Sequence, residues 1–318
     1  MKAIYFTKYG YAENLKYLEV TKPSPNADEV LVKVKAAAVN DFDWSFVTGK
    51  PFIYRLMFGL FKPKNKIPGI EYAGIIEQVG NKVIEFKVGD EVYGDLSDFG
   101  LGCMAEYVAV NKKAVILKPA EMSFEEAAAL SHAGMLAWQS LVDLGNIKER
   151  DDVLINGAGG GAGTIAMQIA KTLHCKVTGV DTGDKLGMMK SLGFDEVIDY
   201  RDVDFTRTGI QYDLIFDAKT TRYPKDIARS LKPTGTYVTV GGDLIKLLVY
   251  AVRMKLGKAN MKVLGIKQNK DVEELHKLYK SGRLKLVIDG PYPLSEAGKA
   301  IKYFGDGLHR GKIILKVD

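Results

Sequence analysis

The stretch VLINGAGGGAGTIAMQIAK, residues 153–171, is an apolar run that feeds a glycine-rich turn and then opens directly into an amphipathic segment. Val153–Asn156 reads as a strand, and Ile165, Ile169 and Ala170 recur at helical spacing. Such a turn presents free backbone N–H groups and the positive end of a helix dipole at one point, where a diphosphate fits. The fingerprint is Ala158-x-Gly160-Gly161-x-Gly163. It puts alanine at the first position of G-x-G-x-x-G and keeps glycine where backbone approaches phosphate or packs on the sheet. A glycine-rich turn alone is equally compatible with a plain loop, so its surroundings decide.

Working outward, Lys176–Val180 is a second buried strand ending in Asp181, 18 residues after Gly163, close to where a ribose-binding acid is expected. Further apolar runs follow at Glu196–Ile198, Leu214–Asp217 and Tyr237–Val240, the last ahead of Gly241-Gly242, with helix-like segments at Lys185–Leu192 and Pro224–Leu231. Strands alternating with helices predict an α/β fold with a doubly wound parallel sheet that binds a dinucleotide. An α/β core without a cofactor is the plainer alternative.

The chain has 318 residues, 47% of them hydrophobic, enough for a large core and about two domains. Its formal net charge of +6 comes from scattered lysines without a long basic run, which argues against nucleic acid as a partner. Two cysteines, Cys103 and Cys175, are too few for a disulfide framework or a cysteine-based zinc site. Met1 leads straight into KAIYF without signal character, and no segment reaches the roughly 18 apolar residues of a membrane span, so a cytoplasmic protein is expected.

Residues 1–121 read as a β domain, with short runs at Val30–Val34, Gly74–Val79 and Tyr107–Val110 between Gly, Pro and Asp turns, predicting antiparallel pairing. The segments VKVKAAAVNDFDW, IPGIEYAGIIEQVG, FKVGDEVYG, AEYVAV, SFEEAAALSHAGMLAWQSL, SLGFDEVIDY and RGKIIL, together with the glycine-rich stretch, stand in a fixed order along the whole chain. In that order and spacing the sequence resembles the medium-chain dehydrogenase/reductase family. It is most similar to the zinc-independent quinone oxidoreductase branch and, within it, to the chloroplast-envelope quinone oxidoreductase homologues. The resemblance implies a GroES-like domain (1–121 and 268–318) and a Rossmann domain (122–267).

Zinc-dependent members of this family carry a cysteine just after the strand that here ends Ala38-Val39, and a histidine in a G-H-E triplet that here reads Gly69-Ile70-Glu71. Both ligands are missing, as is the four-cysteine structural loop, so no catalytic metal is expected. The histidines, His132, His174, His276 and His309, show no ligand spacing and read as ordinary surface or core residues. Without a Lewis acid to ionise an alcohol, the resemblance implies that NADH or NADPH reduces an already electrophilic acceptor, a quinone or an enone. A nucleotide-binding protein without catalysis on the same fold is the rival reading.

The family pattern places Asn40, Asp43 and Tyr54 in the substrate pocket, although Asn40 and Asp43 also read as loop-stabilising side chains. His132 stands where relatives carry an apolar residue and reads either as a proton donor or as a core histidine. For the cofactor, the resemblance points to Asn40, Met135, Ala158, Gly159, Gly160, Gly161, Ala162, Asp181, Lys185, Tyr200, Ala218, Lys219, Val240, Gly241 and Lys312. Asp181 favours NADH, since its charge would repel a 2′-phosphate, whereas Lys185 and Tyr200 match positions that hold that phosphate in NADPH-preferring relatives. The Asp181–Lys185 pair is expected to be exposed and weak, and the balance leans to NADH. Lys219 reads as a solvated lysine.

Two apolar segments, Phe52–Phe61 and Leu244–Leu256, are extra to the family plan. They read as packed helices, as lids over a small hydrophobic substrate, as a homodimer contact or as a peripheral membrane contact.

Overall fold

A computed structural model describes residues 1–242, 244–255 and 260–318. Its strands are β1 (Lys2–Tyr5), β2 (Lys16–Glu19), β3 (Glu29–Val39), β4 (Glu71–Val79), β5 (Glu91–Asp95), β6 (Tyr107–Asn111), β7 (Ile116–Leu117), β8 (Asp152–Asn156), β9 (Lys176–Asp181), β10 (Glu196–Asp199), β11 (Tyr212–Asp217), β12 (Leu231–Thr239), β13 (Met261–Val263), β14 (Ile288–Pro293) and β15 (Lys312–Lys316). Two compact units form, one of residues 1–132 and 288–318 and the other of residues 133–287.

In the first unit a seven-stranded sheet runs β14-β15-β3-β4-β5-β7, with β6 also paired to β3. β3 is central, which is why its sequence EVLVKVKAAAV is apolar almost throughout rather than alternating. The pairs of β3 with β15, β4 and β6, and of β5 with β4 and β7, are antiparallel as expected. β14 departs from this by pairing β15 in parallel. Val32, Val34, Phe46, Ile70, Tyr72 and Ile313 belong to the core of this unit. Helix α1 (Asp41–Thr48) follows β3 directly, and α2 (Ile53–Phe58) packs on it.

Helix α3 (Phe124–Trp138) carries the chain from one unit into the other. In the second unit six strands lie in the order β10-β9-β8-β11-β12-β13, and all their pairings are parallel. From β8 the chain winds outward through β9 and β10 on one side, and through β11, β12 and β13 on the other. The direction reverses between β8 and β11, and in such sheets ligands bind at the carboxyl ends of the strands flanking that switch point. Helices α4 (Gly161–Lys171) and α5 (Gly183–Leu192) make the crossovers on the β8 side.

The helix expected over Pro224–Leu231 is only one turn, α6 (Pro224–Ile227). Lys232 precedes Pro233, whose ring disfavours helical backbone at the residue before it, and Leu231 instead opens β12 opposite Tyr212. The second extra segment forms helix α7 (Leu244–Lys255), and its expected end, Leu256, lies outside the described residues. Both extra segments are divided in character. Tyr54 and Phe58 of α2 pack edge-on against Phe42, and Tyr250 of α7 stacks on Tyr237, whereas Leu56, Met57, Phe61, Ile245 and Leu248 are exposed. No helix among the described residues is long and apolar enough to cross a membrane.

Candidate active site

β8 ends at Asn156 and hands the chain to Gly157, whose φ of +87° turns it sharply. The N–H groups of Gly157 and Ala158 donate to the Val180 carbonyl of β9, pinning the turn to the neighbouring strand. Gly160 precedes α4 with no side chain to cap it, so the first turn of that helix offers its N–H groups outward. A Cβ on Gly163 would collide with the Gly157 carbonyl and come within 2.6 Å of the Ala158 Cα. The helix therefore sits against the turn at a distance that glycine alone permits. This geometry fits a dinucleotide pyrophosphate.

Asp181, at the end of β9, reaches back to the same turn. Its Oδ2 accepts the Gly159 N–H at 2.8 Å, and its Oδ1 accepts the Thr182 N–H at 2.8 Å and faces the Lys185 Nζ at 3.1 Å. The Asp181 and Lys185 side chains are only 6% and 4% exposed, so the pair expected to be solvated is buried. The cause is packing of the lysine stem over the turn, where a Cβ on Gly159 would meet Lys185 Cδ at 2.6 Å. Tyr200 follows β10 beside β9, its N–H on the Asp181 carbonyl and its side chain exposed.

Across the switch point, Asp217 at the end of β11 organises the next loop, a role the sequence reading missed. Its Oδ1 accepts from Asn156 Nδ2 and from the N–H groups of Lys219 and Thr220, and its Oδ2 accepts from the Tyr237 hydroxyl. This buried carboxylate brings Ala218 and Lys219 to the glycine turn, where a Cβ on Gly157 would lie 3.3 Å from that of Ala218. Lys219 is exposed, as expected, and Val240 donates its N–H to the Asp217 carbonyl. Gly241 leaves open space where a Cβ would point. Met135 is fully buried, with its sulfur accepting the Asn269 N–H.

In the first unit, Asn40 caps α1. Its Oδ1 accepts the Phe42 and Asp43 N–H groups while Asp43 Oδ2 accepts the Asn40 N–H, a reciprocal capping box. Asp43 also accepts the Gly69 N–H at 3.0 Å, and burial pushes its carboxyl up to about 7 against those donors. Tyr54 lies half-buried against Phe42, and burial raises its phenol above the ordinary tyrosine range.

The hub of this cluster is Glu71 of β4, again missed as a functional residue. One carboxylate oxygen accepts Asn40 Nδ2 at 2.8 Å and pairs with the buried Lys312 of β15. The other accepts the His132 N–H at 2.9 Å and the Ser131 hydroxyl at 3.2 Å. Lys312 is thus engaged with Glu71, which makes it a positioning group for Asn40. His132 of α3 places Nδ1 2.6 Å from Asp95 of β5. Burial disfavours its charged ring, but the Asp95 carboxylate outweighs that and raises the His132 pKa; burial likewise works against the Asp95 charge, and His132 outweighs it to lower that carboxyl.

At the two positions where the family's zinc ligands would stand, Ile70 has no donor and the Asn40 amide is engaged on both its atoms. Among the described residues no group of three or more His, Cys, Asp or Glu side chains is placed to hold a metal ion. This donor set does not fit zinc.

A family model described as alcohol dehydrogenase GroES-like domain matches residues 26–120, and one described as zinc-binding dehydrogenase matches residues 192–315. The chain is 32% identical to the quinone-oxidoreductase homolog, chloroplastic, of Spinacia oleracea, over 99% of this chain and 98% of that one. The chain belongs to the medium-chain dehydrogenase/reductase family. Within it, the NADPH-dependent alkenal/one oxidoreductase, chloroplastic, of Arabidopsis thaliana is 30% identical over 99% of this chain and 79% of its own. The quinone oxidoreductase of Coxiella burnetii superimposes with a TM-score of 0.88 at 30% identity, covering 100% of this chain and 99% of that one. This medium-chain dehydrogenase/reductase thus has a GroES-like domain and a Rossmann-like parallel-sheet domain, as its sequence led us to expect.

Proposed function

We propose that the protein is a zinc-independent, NAD(P)H-dependent oxidoreductase that reduces a quinone or the C=C bond of an α,β-unsaturated carbonyl. The observation that carries this reading is the pairing of a phosphate-fitting glycine turn at the sheet's switch point with Asn40 and Ile70 at the positions of the missing zinc ligands. Relatives named for quinone and alkenal/one reduction support the same substrate class.

A bound nicotinamide supplies the hydride and its electron pair. Gly161 and Ala162 would hold the pyrophosphate through backbone N–H groups at the start of α4, and Ala158, Gly159 and Gly160, whose N–H groups bond within the fold, would shape the turn beneath it. Asp181, Lys185 and Tyr200 would meet the adenosine ribose, and Met135, Ala218, Lys219, Val240 and Gly241 the nicotinamide end. Asn40 and Tyr54 would contact a small hydrophobic electrophile, while Asp43, Glu71 and Lys312 fix Asn40. Because Lys185 balances the Asp181 charge inside the fold, that carboxylate imposes no strong repulsion on a 2′-phosphate, and the proposal is that both NADPH and NADH serve.

Steady-state loss of reduced nicotinamide absorbance with a panel of quinones and enones tests the reading. Turnover with members of the panel is expected. Tight nicotinamide binding without turnover of any acceptor would replace it with the non-catalytic alternative.

A further inference from the structure

His132 and Asp95 form a buried acid pair with one open end. Asp95 Oδ2 sits 2.6 Å from His132 Nδ1, its side chain is fully buried, and it also accepts the Ser97 N–H at 2.8 Å. The His132 side chain keeps 19% of its exposure, so one edge of the ring reaches the surface of its unit. The carboxylate fixes which ring nitrogen carries hydrogen at the inner edge, leaving Nε2 as the outer one. The same Glu71 carboxylate that holds Asn40 through one oxygen holds the His132 backbone through the other. The imidazole and the proposed substrate amide are therefore mounted on a single buried group within one unit.

Resting on the enone reading above, we propose that His132, oriented by Asp95, is the acid that protonates the substrate after hydride addition. Addition of the hydride to the β-carbon shifts the C=C pair toward oxygen and leaves an enolate. The Nε2–H bond of the imidazolium then breaks, its proton bonds to the α-carbon, and its electron pair stays on nitrogen. The product is the saturated ketone, and water returns a proton to Nε2. Asp95 keeps Nδ1–H throughout and stabilises the cation before transfer. The charged groups around the ring agree with this role. Asp95 and Glu71 favour the cation, Lys312 opposes it, and the Asp43 carboxyl lies in the same cluster. The donor form is lost as pH rises through the raised His132 pKa, so kcat should fall on the alkaline side.

Reduction of a cyclic enone bearing an α-methyl group reads the step directly. The wild-type enzyme should give one enantiomer at the α-carbon, with kcat falling at alkaline pH. His132→Gln should lower kcat by about 10²-fold, abolish that limb and give racemic product, because water then protonates either face. An independent readout is NMR titration of the His132 ring in the protein without substrate, whose midpoint should lie above that of an ordinary histidine and drop in Asp95→Asn. A His132→Gln enzyme with unchanged rate or the same enantiomer, or a His132 midpoint insensitive to Asp95→Asn, would overturn the proposal. A wild-type enzyme that reduces quinones but no enone overturns it while leaving the hydride-transfer reading intact, and one that reduces no acceptor overturns both.

Discussion

Asp181 and Lys185 stand four residues apart, and spacing alone suggests a solvated pair worth about 0–1 kcal/mol. Folding changes the magnitude, because β9 ends and α5 begins over the glycine turn and both side chains are buried there. Removing one partner of a buried pair leaves an uncompensated charge, typically costing about 3–5 kcal/mol. For Lys185→Ala the lower end is expected, since the Gly159 and Thr182 N–H groups still serve the carboxylate. Denaturant unfolding should show that loss. The same variant unmasks the Asp181 charge, so its NADPH to NADH ratio of kcat/KM should fall about tenfold, equivalent to about 1.4 kcal/mol. An unchanged ratio would mean that neither residue reads the ribose. Gly163→Ala makes a second test. The added methyl meets the Gly157 carbonyl and Ala158, so overpacking of about 1–3 kcal/mol and at least tenfold weaker nicotinamide binding by fluorescence titration are expected.

At the scale of elements, α3, β4, β5 and β15 bring Glu71, Lys312, His132 and Asp95 together from distant parts of the chain. The His132–Asp95 contact has a pH signature. His132 is raised above its unfolded value near 6.5, so its contribution is complete below that pH and lost as pH rises through the folded pKa. Asp95 is lowered below 3.8, so its contribution is complete above that value and lost as pH falls. The stability difference between wild type and His132→Gln should thus be largest between about pH 4 and 6.5 and shrink above it, as read by urea unfolding across pH. An equal difference at pH 5 and pH 9 would contradict the ion pair. The parallel strands were legible because apolar runs and glycine turns are local signals. The Glu71 hub was not, since its partner Lys312 lies 241 residues away and nothing local marks the pair. Asp217 was hidden in the apolar run LIFD, where only the buried Asn156 and Tyr237 explain a carboxylate. Helix α6 was overdrawn because the pull of Leu231 into β12 is a tertiary effect.

At the scale of the whole molecule, one unit carries a parallel sheet with a phosphate-fitting glycine turn and the other a polar cluster centred on Glu71 and Asn40. The glycine fingerprint made the turn readable in sequence, whereas the network that fixes Asn40 emerged only from the fold. Activity should withstand metal chelators, and elemental analysis should find no stoichiometric zinc; zinc lost together with activity would contradict the donor set described for Asn40 and Ile70. The central claim is hydride delivery to an activated C=C or quinone instead of a carbonyl carbon. It is tested most directly by turning over an enone with nicotinamide deuterated at the transferring C4 position and locating the label by NMR. Deuterium at the β-carbon of a saturated ketone is the predicted result. Deuterium at the carbonyl carbon of an alcohol, or no reduction of either the enone or any quinone, would contradict it.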